Sequence, residues 1–393
     1  MTAVTPIDSA RRSECCAVCR IDVRWILELR LQTGEPYIIY IDHVNDRIPA
    51  HHKMAGLNVK MSNLCSEITL PTGMDHLGNE RTAVCCLSSL NLETFEQWQD
   101  HPTFIEDVMR FLDNILTDFI QKAPDSMKRA KYSAMRERSV GLGVMGFHSF
   151  LQSKSIPMEG VMAKVWNRRM FQLIKRGADE ASVKLAHERG ACPDAADYGI
   201  MERFSNKIAI APTASISIIC GGASPGIEPN AVNAYTHKTL SGSFPVKNKY
   251  LEQVLDKTGN NTDDIWSSIF TNEGSVQHLD FLSAEEKDVF KTAFEIDQRW
   301  LIEHAGDRTP FVCQAQSLNV FLPANVHKSD LHRIHWEAWQ KGVKSLYYCR
   351  SKSIQRAESD ASWKRSQGAA PKDNAQPQLG EEPKKYEECL ACQ

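Results

Sequence analysis

The sequence predicts an α/β fold with a largely parallel sheet. Long amphipathic helices alternate along the chain with short apolar, β-prone runs, which is the pattern that βαβ units produce. Of the 393 residues, 42% are hydrophobic and 24% are charged, which is enough apolar material for a substantial core. The length allows one large domain or two ordinary ones.

The N-terminal half supplies the first helices and strands. Residues 24–40 are typical of a helix that stops at Gly34 and passes into a strand. The segment around Cys65 and the apolar run at 84–90 indicate two further strands, and a helix follows at about 102–122. We expect the buried stripe of that helix to consist of Phe104, Ile105, Val108, Phe111, Leu112 and Ile115.

The C-terminal half supplies three more long helices and the strands between them. Ser283, followed three residues later by Glu286, fits a capping box at the start of one of these helices. The predicted elements are helices at about 162–188, 284–303 and 328–342, a strand at 208–215 that runs into a turn, and a strand at 343–348.

The charge and hydropathy of the chain exclude several classes of protein. A formal net charge of −3 gives no electrostatic footprint for nucleic acid or for an anionic membrane. Every apolar run falls short of the roughly 20 residues of a membrane helix, and the first residues lack the pattern of a secretion signal. We therefore expect a cytoplasmic protein that binds neither nucleic acid nor membrane. In that compartment most of the twelve cysteines stay reduced, which favours redox or catalytic use of a few.

Three reactive side chains lie at alternating positions in the N-terminal part of the chain: Asn63, Cys65 and Glu67. In an extended strand, alternate residues point to the same face, so all three would look into one cavity. A thiol beside an amide and a potential base is suited to catalysis. Such spacing also arises by chance, so the hypothesis depends on the other motifs.

The composition changes after Arg350. Residues 351–385 are rich in Ser, Gln, Pro, Lys and Glu, which predicts a flexible arm. The arm leads to a Cys-x-x-Cys pair, Cys389 and Cys392, whose thiols can form a disulfide or accept one by exchange. The alternative is half of a zinc site, which would need two further ligands.

Five motifs together resemble the C-terminal half of the large, catalytic subunit of class I ribonucleotide reductases. They are, in chain order, SNLCSE at 62–67 with LPT at 70–72, VCCLSSLNL at 84–92, PTAS at 212–215 with GIEP at 226–229, the pair Tyr347-Tyr348, and the terminal cysteine pair. The resemblance implies the second half of a ten-stranded α/β barrel. It divides the chain into a divergent N-terminal segment at 1–23, the barrel half at 24–350 and the tail at 351–393.

The resemblance implies thiyl-radical chemistry at the first two motifs. Cys65 corresponds to the thiol that becomes a thiyl radical and removes the 3′-hydrogen of the ribose. Glu67 corresponds to the general base at the 3′-hydroxyl, and Asn63 to a residue that holds the sugar. Cys85 corresponds to one of two thiols that reduce the 2′-position, its partner being expected in a missing N-terminal half. Cys86 points to the opposite face of a strand, so we interpret it as a packing residue.

The resemblance also implies how the radical arrives and how the enzyme is re-reduced. Tyr347 and Tyr348 relay an oxidising equivalent from a separate small subunit with a dimetal or tyrosyl radical centre, so no cofactor or metal is assigned to this chain. Cys389 and Cys392 re-reduce the active-site disulfide and pass their own to thioredoxin or glutaredoxin. When the other motifs are ignored, two aromatic residues in a β-prone segment are the simpler interpretation of the tyrosine pair.

The substrates that the resemblance implies are ribonucleoside diphosphates. The diphosphate site corresponds to Pro212, Thr213, Ala214, Ser215 and Ser217. Hydroxyls and free backbone N–H groups at the start of a helix can bind phosphate oxygens without a lysine. An ordinary Ser/Thr turn is the alternative interpretation.

A glycine-rich segment fits a dinucleotide-binding fingerprint and is rejected as one. Gly141, Gly143 and Gly146 have the required spacing, but they follow a charged, helix-like stretch at 128–138. The acidic residue that the fingerprint requires about 20 positions later is also missing. We expect close packing of a turn or helix there.

Other histidines and cysteines carry no assigned chemistry. His51-His52 and the pair His332 and His335 have no suitable companions for a metal, so surface or capping positions are predicted. No role is assigned to a cysteine cluster near the N-terminus that consists of Cys15, Cys16 and Cys19.

Half of a barrel would expose strand edges and apolar faces. We therefore expect either a complementing polypeptide or a truncated product without independent activity, and a homodimer of large subunits as in the family. Two alternatives stay open. A cobalamin-dependent class II reductase fragment would not need Tyr347 and Tyr348, and a relic that only binds the small subunit would show binding without turnover.

Overall fold

Helices and short strands alternate along the chain, and the α/β prediction is confirmed. The computed structural model describes the backbone of residues 17–239, 242–323 and 325–351, with side chains throughout except at 17–22, 238 and 239. The helices are α1 Ala17–Thr33, α2 Ile41–Asp46, α3 Ala50–Met54, α4 Phe95–Trp98, α5 Phe104–Lys122, α6 Lys128–Glu137, α7 Phe147–Ser153, α8 Val161–Arg189, α9 Pro193–Ala196, α10 Ala214–Ile219, α11 Lys249–Thr258, α12 Asp263–Thr271, α13 Ala284–Val289, α14 Gln298–Arg308 and α15 Lys328–Gln340. The strands are β1 Ile38–Ile39, β2 Gly73–Met74, β3 Glu80–Arg81, β4 Leu87–Asn91, β5 Gly141–Met145, β6 Ala234–Thr239, β7 Gly242–Lys247, β8 Val320–Leu322, β9 Ser345–Leu346 and β10 Cys349–Ser351.

Several sequence predictions fall outside these ranges. The arm beyond Ser351, with Cys389 and Cys392, lies outside the described residues, as do Cys15 and Cys16 and the side chain of Cys19. Within the described ranges, no helix has both the length and the apolar character needed to cross a membrane.

Strands β4, β5, β8 and β10 pair in parallel, as predicted. β4 pairs with β5 over their full length, and β8 pairs with β10. Two single parallel bridges, Leu142↔Ile208 and Ile210↔Gln316, continue the row between these pairs. β1 adds to β9 in the antiparallel sense. The predicted strand at 208–215 is therefore reduced to its bridge residues, Ile208 and Ile210, and its last two residues belong to α10.

Helix α5 packs against the core through one face. Its buried residues include Ile105, Met109, Leu112 and Leu116, which recur at the spacing of a helical stripe. The prediction that Phe111 and Ile115 belong to this stripe is wrong, since they are 60% and 43% exposed. They form a second row, four residues apart, beside the buried face. Phe104 and Val108 pack partly buried against the core, as expected.

The predicted helix at 284–303 is two helices. The capping box of Ser283 and Glu286 at the start of α13 is confirmed. α13 ends at Val289 because side chains compete for the next backbone groups: Glu295 Oε2 accepts from the Thr292 N–H at 2.8 Å. Asp297 then caps the start of α14.

The glycine segment lies in a strand and not in the turn or helix that we expected. Gly141 and Gly143 belong to β5, and a Cβ on Gly143 would lie 2.5 Å from Ala209 O. The expected close packing is therefore confirmed. The Gly146 N–H, which a dinucleotide site would present to phosphate, is donated to Ser224 O at 2.7 Å.

Three of the histidines predicted to be surface or capping residues are buried. His51 and His52 are 4% and 0% exposed, and His51 Nε2 lies 2.8 Å from Ser205 Oγ. Burial lowers the pKa of His335 to about 3, so its neutral ring accepts a hydrogen bond from Arg30 Nε. Only His332 is exposed as expected. Among the residues that the structure describes, no three His, Cys, Asp or Glu side chains gather into a metal site.

A buried ion network centred on Asp194 ties the β2–β3 hairpin to α6 and α9. Both carboxylate oxygens accept from the Arg81 guanidinium, at 2.6 and 2.9 Å, and Oδ1 also accepts from Arg136 Nε at 2.8 Å. Arg81 in turn donates to Asp75 at 3.0 Å. Burial alone would raise the pKa of Asp194, but the hydrogen bonds and the positive charge of Arg81 hold it well below its usual range.

We expect Asp194→Asn to lower the free energy of unfolding by about 3–5 kcal/mol, because it leaves buried arginine charge without a counter-ion. The measurement is the denaturant midpoint of the chain. Glu96→Gln is the matched control, since Glu96 pairs with Lys154 at the surface, where such pairs contribute little. Equal shifts in the two variants would contradict the network's role.

Candidate functional site

Cys65 lies in a turn, and the prediction of a strand for residues 63–67 is wrong. The Ser66 N–H donates to Asn63 O at 3.2 Å, and Ser66 has a left-handed backbone with φ of 68°. Asn63 Oδ1 accepts from the Ile68 N–H at 3.0 Å. These local bonds fold the segment onto itself, as Asn side chains commonly do in turns.

Cys65 and Glu67 nevertheless lie close together, because both are hydrogen-bonded to one segment, residues 315–317. The Ala315 N–H donates to Glu67 O at 2.9 Å. Ser317 Oγ lies 2.5 Å from Cys65 O and 3.1 Å from Glu67 Oε2, and its single proton can serve either oxygen. Cys65 and Glu67 are 6% and 2% exposed, whereas Asn63 is half-buried.

The carboxyl group of Glu67 is a stronger base than an exposed one. Burial raises its pKa, and hydrogen bonds from its own backbone, Asn63 and Ser317 oppose the shift only in part. A carboxyl group whose pKa is raised by burial is better suited to accept a proton from a hydroxyl group.

Tyr347 reaches the thiol. Its hydroxyl donates to Cys65 Sγ at 3.8 Å, and the ring is 1% exposed. Burial, followed by the proximity of Cys65, raises the pKa of Tyr347. The rings of Tyr347 and Tyr348 lie 4.4 Å apart between centroids, and Tyr348 is half-buried. The two predicted relay residues and the predicted radical cysteine thus form one contiguous chain of side chains.

A third phenol joins this pair. The ring of Tyr37 lies 4.6 Å from that of Tyr347 and 4.9 Å from that of Tyr348, and its hydroxyl donates to Glu35 at 3.0 Å. Burial and then the hydrogen bond with Tyr348 raise the pKa of Tyr37. Sequence reasoning missed this residue, because no spacing relates position 37 to position 347.

Arg30 fixes the backbone beside the tyrosine pair and was also missed. The fully buried guanidinium donates through Nη2 to Tyr347 O at 3.0 Å and through Nη1 to Pro36 O. Burial lowers the pKa of Arg30. A charged residue in the last turn of α1 carries no local signal of this use.

Lys344 supports the segment under the Cys65 turn. Its buried ammonium donates to three consecutive carbonyl oxygens, those of Val312, Cys313 and Gln314, at 3.1, 2.5 and 2.7 Å. Burial lowers the pKa of Lys344 to about 8. The next residue along, Ala315, is the one that holds Glu67.

The two adjacent cysteines differ as predicted. Cys85 is exposed at the entrance to β4, whereas Cys86 belongs to the hydrophobic core and its thiol donates to Leu112 O at 3.8 Å. Burial raises the pKa of Cys86 to about 11, so this thiol stays protonated. The packing interpretation of Cys86 is confirmed.

The residues predicted to bind diphosphate lie at the start of the short helix α10: Pro212 and Thr213 precede the helix, and Ala214, Ser215 and Ser217 belong to it. Thr213 has a left-handed backbone with φ of 57°, and its Oγ1 accepts from the Gly226 N–H at 2.7 Å. Ser215 is exposed, while Pro212 and Ala214 are partly buried. Ser217 is buried and donates to Ala214 O, so it supports the turn from behind. Strained non-glycine residues of this kind concentrate at functional sites.

Comparison with known proteins identifies the family. The ribonucleotide reductase barrel domain matches residues 23–199 and 194–349. The chain therefore belongs to the ribonucleotide reductase family and contains barrel-domain sequence, which confirms the resemblance read from its motifs.

Individual relatives agree with this assignment. The ribonucleoside-diphosphate reductase large subunit of Invertebrate iridescent virus 6 is 48% identical in sequence over 80% of the chain. The corresponding subunit of Invertebrate iridescent virus 3 is 44% identical over 84% of the chain. The class Id ribonucleotide reductase alpha subunit of Actinobacillus ureae has a TM-score of 0.80 and 36% identity over 86% of the chain. The chain spans only 32% and 52% of the two viral relatives and 62% of that solved chain.

Proposed function

We propose that this chain, as part of a large subunit, reduces ribonucleoside diphosphates to 2′-deoxyribonucleoside diphosphates. The observation that carries the proposal is the contact between the Tyr347 hydroxyl and Cys65 Sγ, which continues through Tyr348 toward half-exposed surface. A radical relay that ends on a buried thiol needs this arrangement, and a cobalamin-dependent enzyme would not. No cofactor is proposed for the chain itself; the oxidising equivalent comes from the dimetal or tyrosyl radical of a small subunit.

The first step moves one hydrogen atom between Tyr347 and Cys65. A phenoxyl radical on Tyr347 takes the hydrogen of the Cys65 thiol, which restores the phenol and leaves a thiyl radical. The raised pKa of Tyr347 supports this form of transfer, since the phenol holds its proton until it is oxidised. Burial keeps water and other reductants away from both radicals.

The second stage acts on the ribose. The Cys65 thiyl radical removes the 3′-hydrogen, Glu67 accepts the 3′-hydroxyl proton, and Asn63 holds the sugar. The 2′-hydroxyl leaves as water while Cys85 and a second thiol supply two electrons and two hydrogens and become a disulfide. Cys65 then returns its hydrogen to C3′ and Glu67 returns the proton to the 3′-oxygen, so both the thiyl radical and the base are recovered.

The substrate's diphosphate is assigned to the Thr213 turn, which we define as residues 212–217. Pro212, Thr213, Ala214 and Ser215 present hydroxyl and backbone groups there, and Ser217 stabilises the turn. This assignment rests on the family motif and on the strained, partly exposed geometry of the turn.

The experiment that tests the function is CDP reduction by this chain with a small subunit and a small dithiol. It is run with and without a polypeptide that corresponds to the N-terminal half of the viral relatives. We expect activity when that polypeptide is present. Retained small-subunit binding with no turnover in either mixture would overturn the proposal and favour a relic.

We expect Glu67→Gln to lower kcat about 10²–10⁴-fold, because the general base is lost. The base works only when it is ionised. Because burial raises the pKa of Glu67, wild-type activity should be lost, as the pH falls, at a pH higher than the ordinary carboxyl pKa of 4.5. The pH dependence of kcat/KM measures this limb. Glu80→Gln removes an exposed carboxylate that pairs with Arg129 and should leave the profile unchanged. An unaltered acid limb in Glu67→Gln would contradict the role of Glu67.

We expect a variant with both Cys389→Ser and Cys392→Ser to lose turnover with thioredoxin and to retain part of it with a small dithiol. The physical reason is that a dithiol can enter the site directly, whereas a protein reductant needs the shuttle. An arm of about 38 residues spans roughly 34 Å if it is flexible, enough to reach a site in its own or a neighbouring subunit. An equal loss of turnover with thioredoxin and with the small dithiol would contradict the shuttle hypothesis.

A further inference from the structure

A buried hydrogen-bonded pair lies between the Thr213 turn and the tyrosine pair. Glu228 and Asn319 are 9% and 5% exposed. The carboxylate accepts twice from the same residue: Oε1 from the Asn319 N–H at 2.6 Å and Oε2 from Nδ2 at 2.9 Å. Because both contacts fix the amide, they also fix the direction of its remaining oxygen, Oδ1.

That oxygen completes the backbone pairing at the tyrosines. Tyr347 and Tyr348 lie where β9 has ended and β10 has not begun. The Tyr347 N–H donates to Leu318 O at 2.8 Å, and Tyr348 O accepts from the Val320 N–H at 2.9 Å. The N–H of Tyr348 donates to Asn319 Oδ1 at 3.0 Å. A side chain therefore supplies the acceptor that holds this residue in its irregular position.

The other end of the pair is attached to the Thr213 turn. Glu228 closes a turn with Pro225, in which the Glu228 N–H donates to Pro225 O at 3.2 Å. Within it, the Gly226 N–H donates to Thr213 Oγ1 at 2.7 Å. Gly226 has φ of 51° and packs so closely that a Cβ would lie 3.2 Å from Pro212 O. The Thr213 turn is thus connected to Glu228 through closely packed backbone.

The cost of burying Glu228 argues for a positional role. Burial raises its pKa, against the hydrogen bonds from Asn319 and the charges of Arg350 and Arg308. A buried ionisable group contributes less to stability than apolar residues of the same volume, and such groups are best explained where they fix a geometry.

We propose that Glu228 and Asn319 are positioning residues that couple the Thr213 turn to the backbone of Tyr348. The conformation of the turn then sets the geometry of the tyrosine pair, so that the relay is aligned when the turn is occupied. The roles of the Thr213 turn in substrate binding and of the tyrosine pair in radical transfer rest on the proposed function. The hydrogen-bonded link between them is a property of the fold and can be tested without turnover.

The test uses the full chain with a single fluorotyrosine at position 348, observed by fluorine NMR. Glu228→Gln places an amide group opposite a donor of Asn319, and Asn319→Asp places two carboxylates face to face. The double variant restores the pattern: the glutamine oxygen accepts from the backbone N–H and its amide donates to one aspartate oxygen. The other aspartate oxygen accepts from Tyr348.

Each single variant is expected to shift or broaden the resonance of residue 348, and the double variant to return it to the wild-type position. Gln298→Met is the matched control, because Gln298 is buried and accepts from the N–H of Phe321, which lies two residues after Asn319. It should leave the resonance in place. Unchanged resonances in the single variants, or a double variant that adds their effects, would overturn the link. If Glu228→Gln does not fold, Asn319→Asp and the double variant still decide the question.

The kinetic counterpart separates positioning from substrate binding. In the reconstituted reductase, kcat should fall about tenfold to a hundredfold in each single variant and recover in the double variant, as expected for a misplaced reacting group. KM for CDP should change by less than about threefold. If the wild type does not reduce CDP, the proposed function fails while the NMR comparison still tests the link.

Discussion

Cys65→Ser is expected to abolish deoxynucleotide formation with every reductant. Serine is close to isosteric, so it fits the buried turn and can still accept a hydrogen bond from Tyr347. An alcohol holds its hydrogen more tightly than a thiol, so the Tyr347 phenoxyl cannot take it and no radical reaches the ribose. The rate of CDP reduction should fall at least about 10⁴-fold, to the background of the assay.

The matched control for this variant is Cys86→Ala. Cys86 is a buried thiol of the same chain whose partners are core residues and Leu112 O. Its loss should cost about 1 kcal/mol of stability through lost packing and leave turnover intact at a temperature where the variant is folded. Measurable CDP reduction by Cys65→Ser would remove the central claim.

Tyr347→Phe is expected to block the delivery of the radical while the fold survives. Phenylalanine retains the ring contacts with Tyr348 and Tyr37, and only the hydroxyl that touches Cys65 is lost. A phenyl ring has no hydrogen to exchange with the thiol and is far harder to oxidise than a phenol. Turnover should fall at least about 10³-fold, since the relay has no alternative terminal donor.

Tyr40→Phe is the control for the tyrosine variant. Tyr40 is a nearby, partly buried phenol whose hydroxyl donates to His335 O at 2.7 Å. Its removal should cost about 1 kcal/mol of stability and leave the rate of CDP reduction near that of the wild type. Small-subunit binding is measured for both variants, because it must be equal for the comparison to report radical transfer. Normal turnover by Tyr347→Phe would exclude Tyr347 as the residue that oxidises Cys65.

The sequence predicted the helices and their ends better than the strands. The helix before Gly34 stops where expected, because a left-handed residue there is readable from one letter. The region around Cys65 could not be predicted in the same way. Alternation of Asn63, Cys65 and Glu67 has the period of a strand, but the turn depends on Ser66 adopting a left-handed backbone and on a distant segment at 314–317.

The candidate site shows the same division between local and long-range information. Motifs supplied Cys65, Glu67 and Tyr347, and the structure places them together. Arg30 and Ser317, which bind backbone, have no motif, because their role depends on which distant carbonyl oxygen each side chain reaches. On α5, composition alone could not decide that Met109 is buried and Phe111 is exposed, since both positions are apolar.

The ammonium of Lys344 can report on the opening of the segment at 312–314, which lies beneath the candidate site. While its three carbonyl partners are in place, the amine is buried and fully occupied as a donor. An acylating reagent can therefore modify Lys344 only when the segment at 312–314 moves away from the amine. Its labelling rate, compared with that of an exposed lysine such as Lys328, would measure how often the segment that carries the Cys65 turn opens in solution.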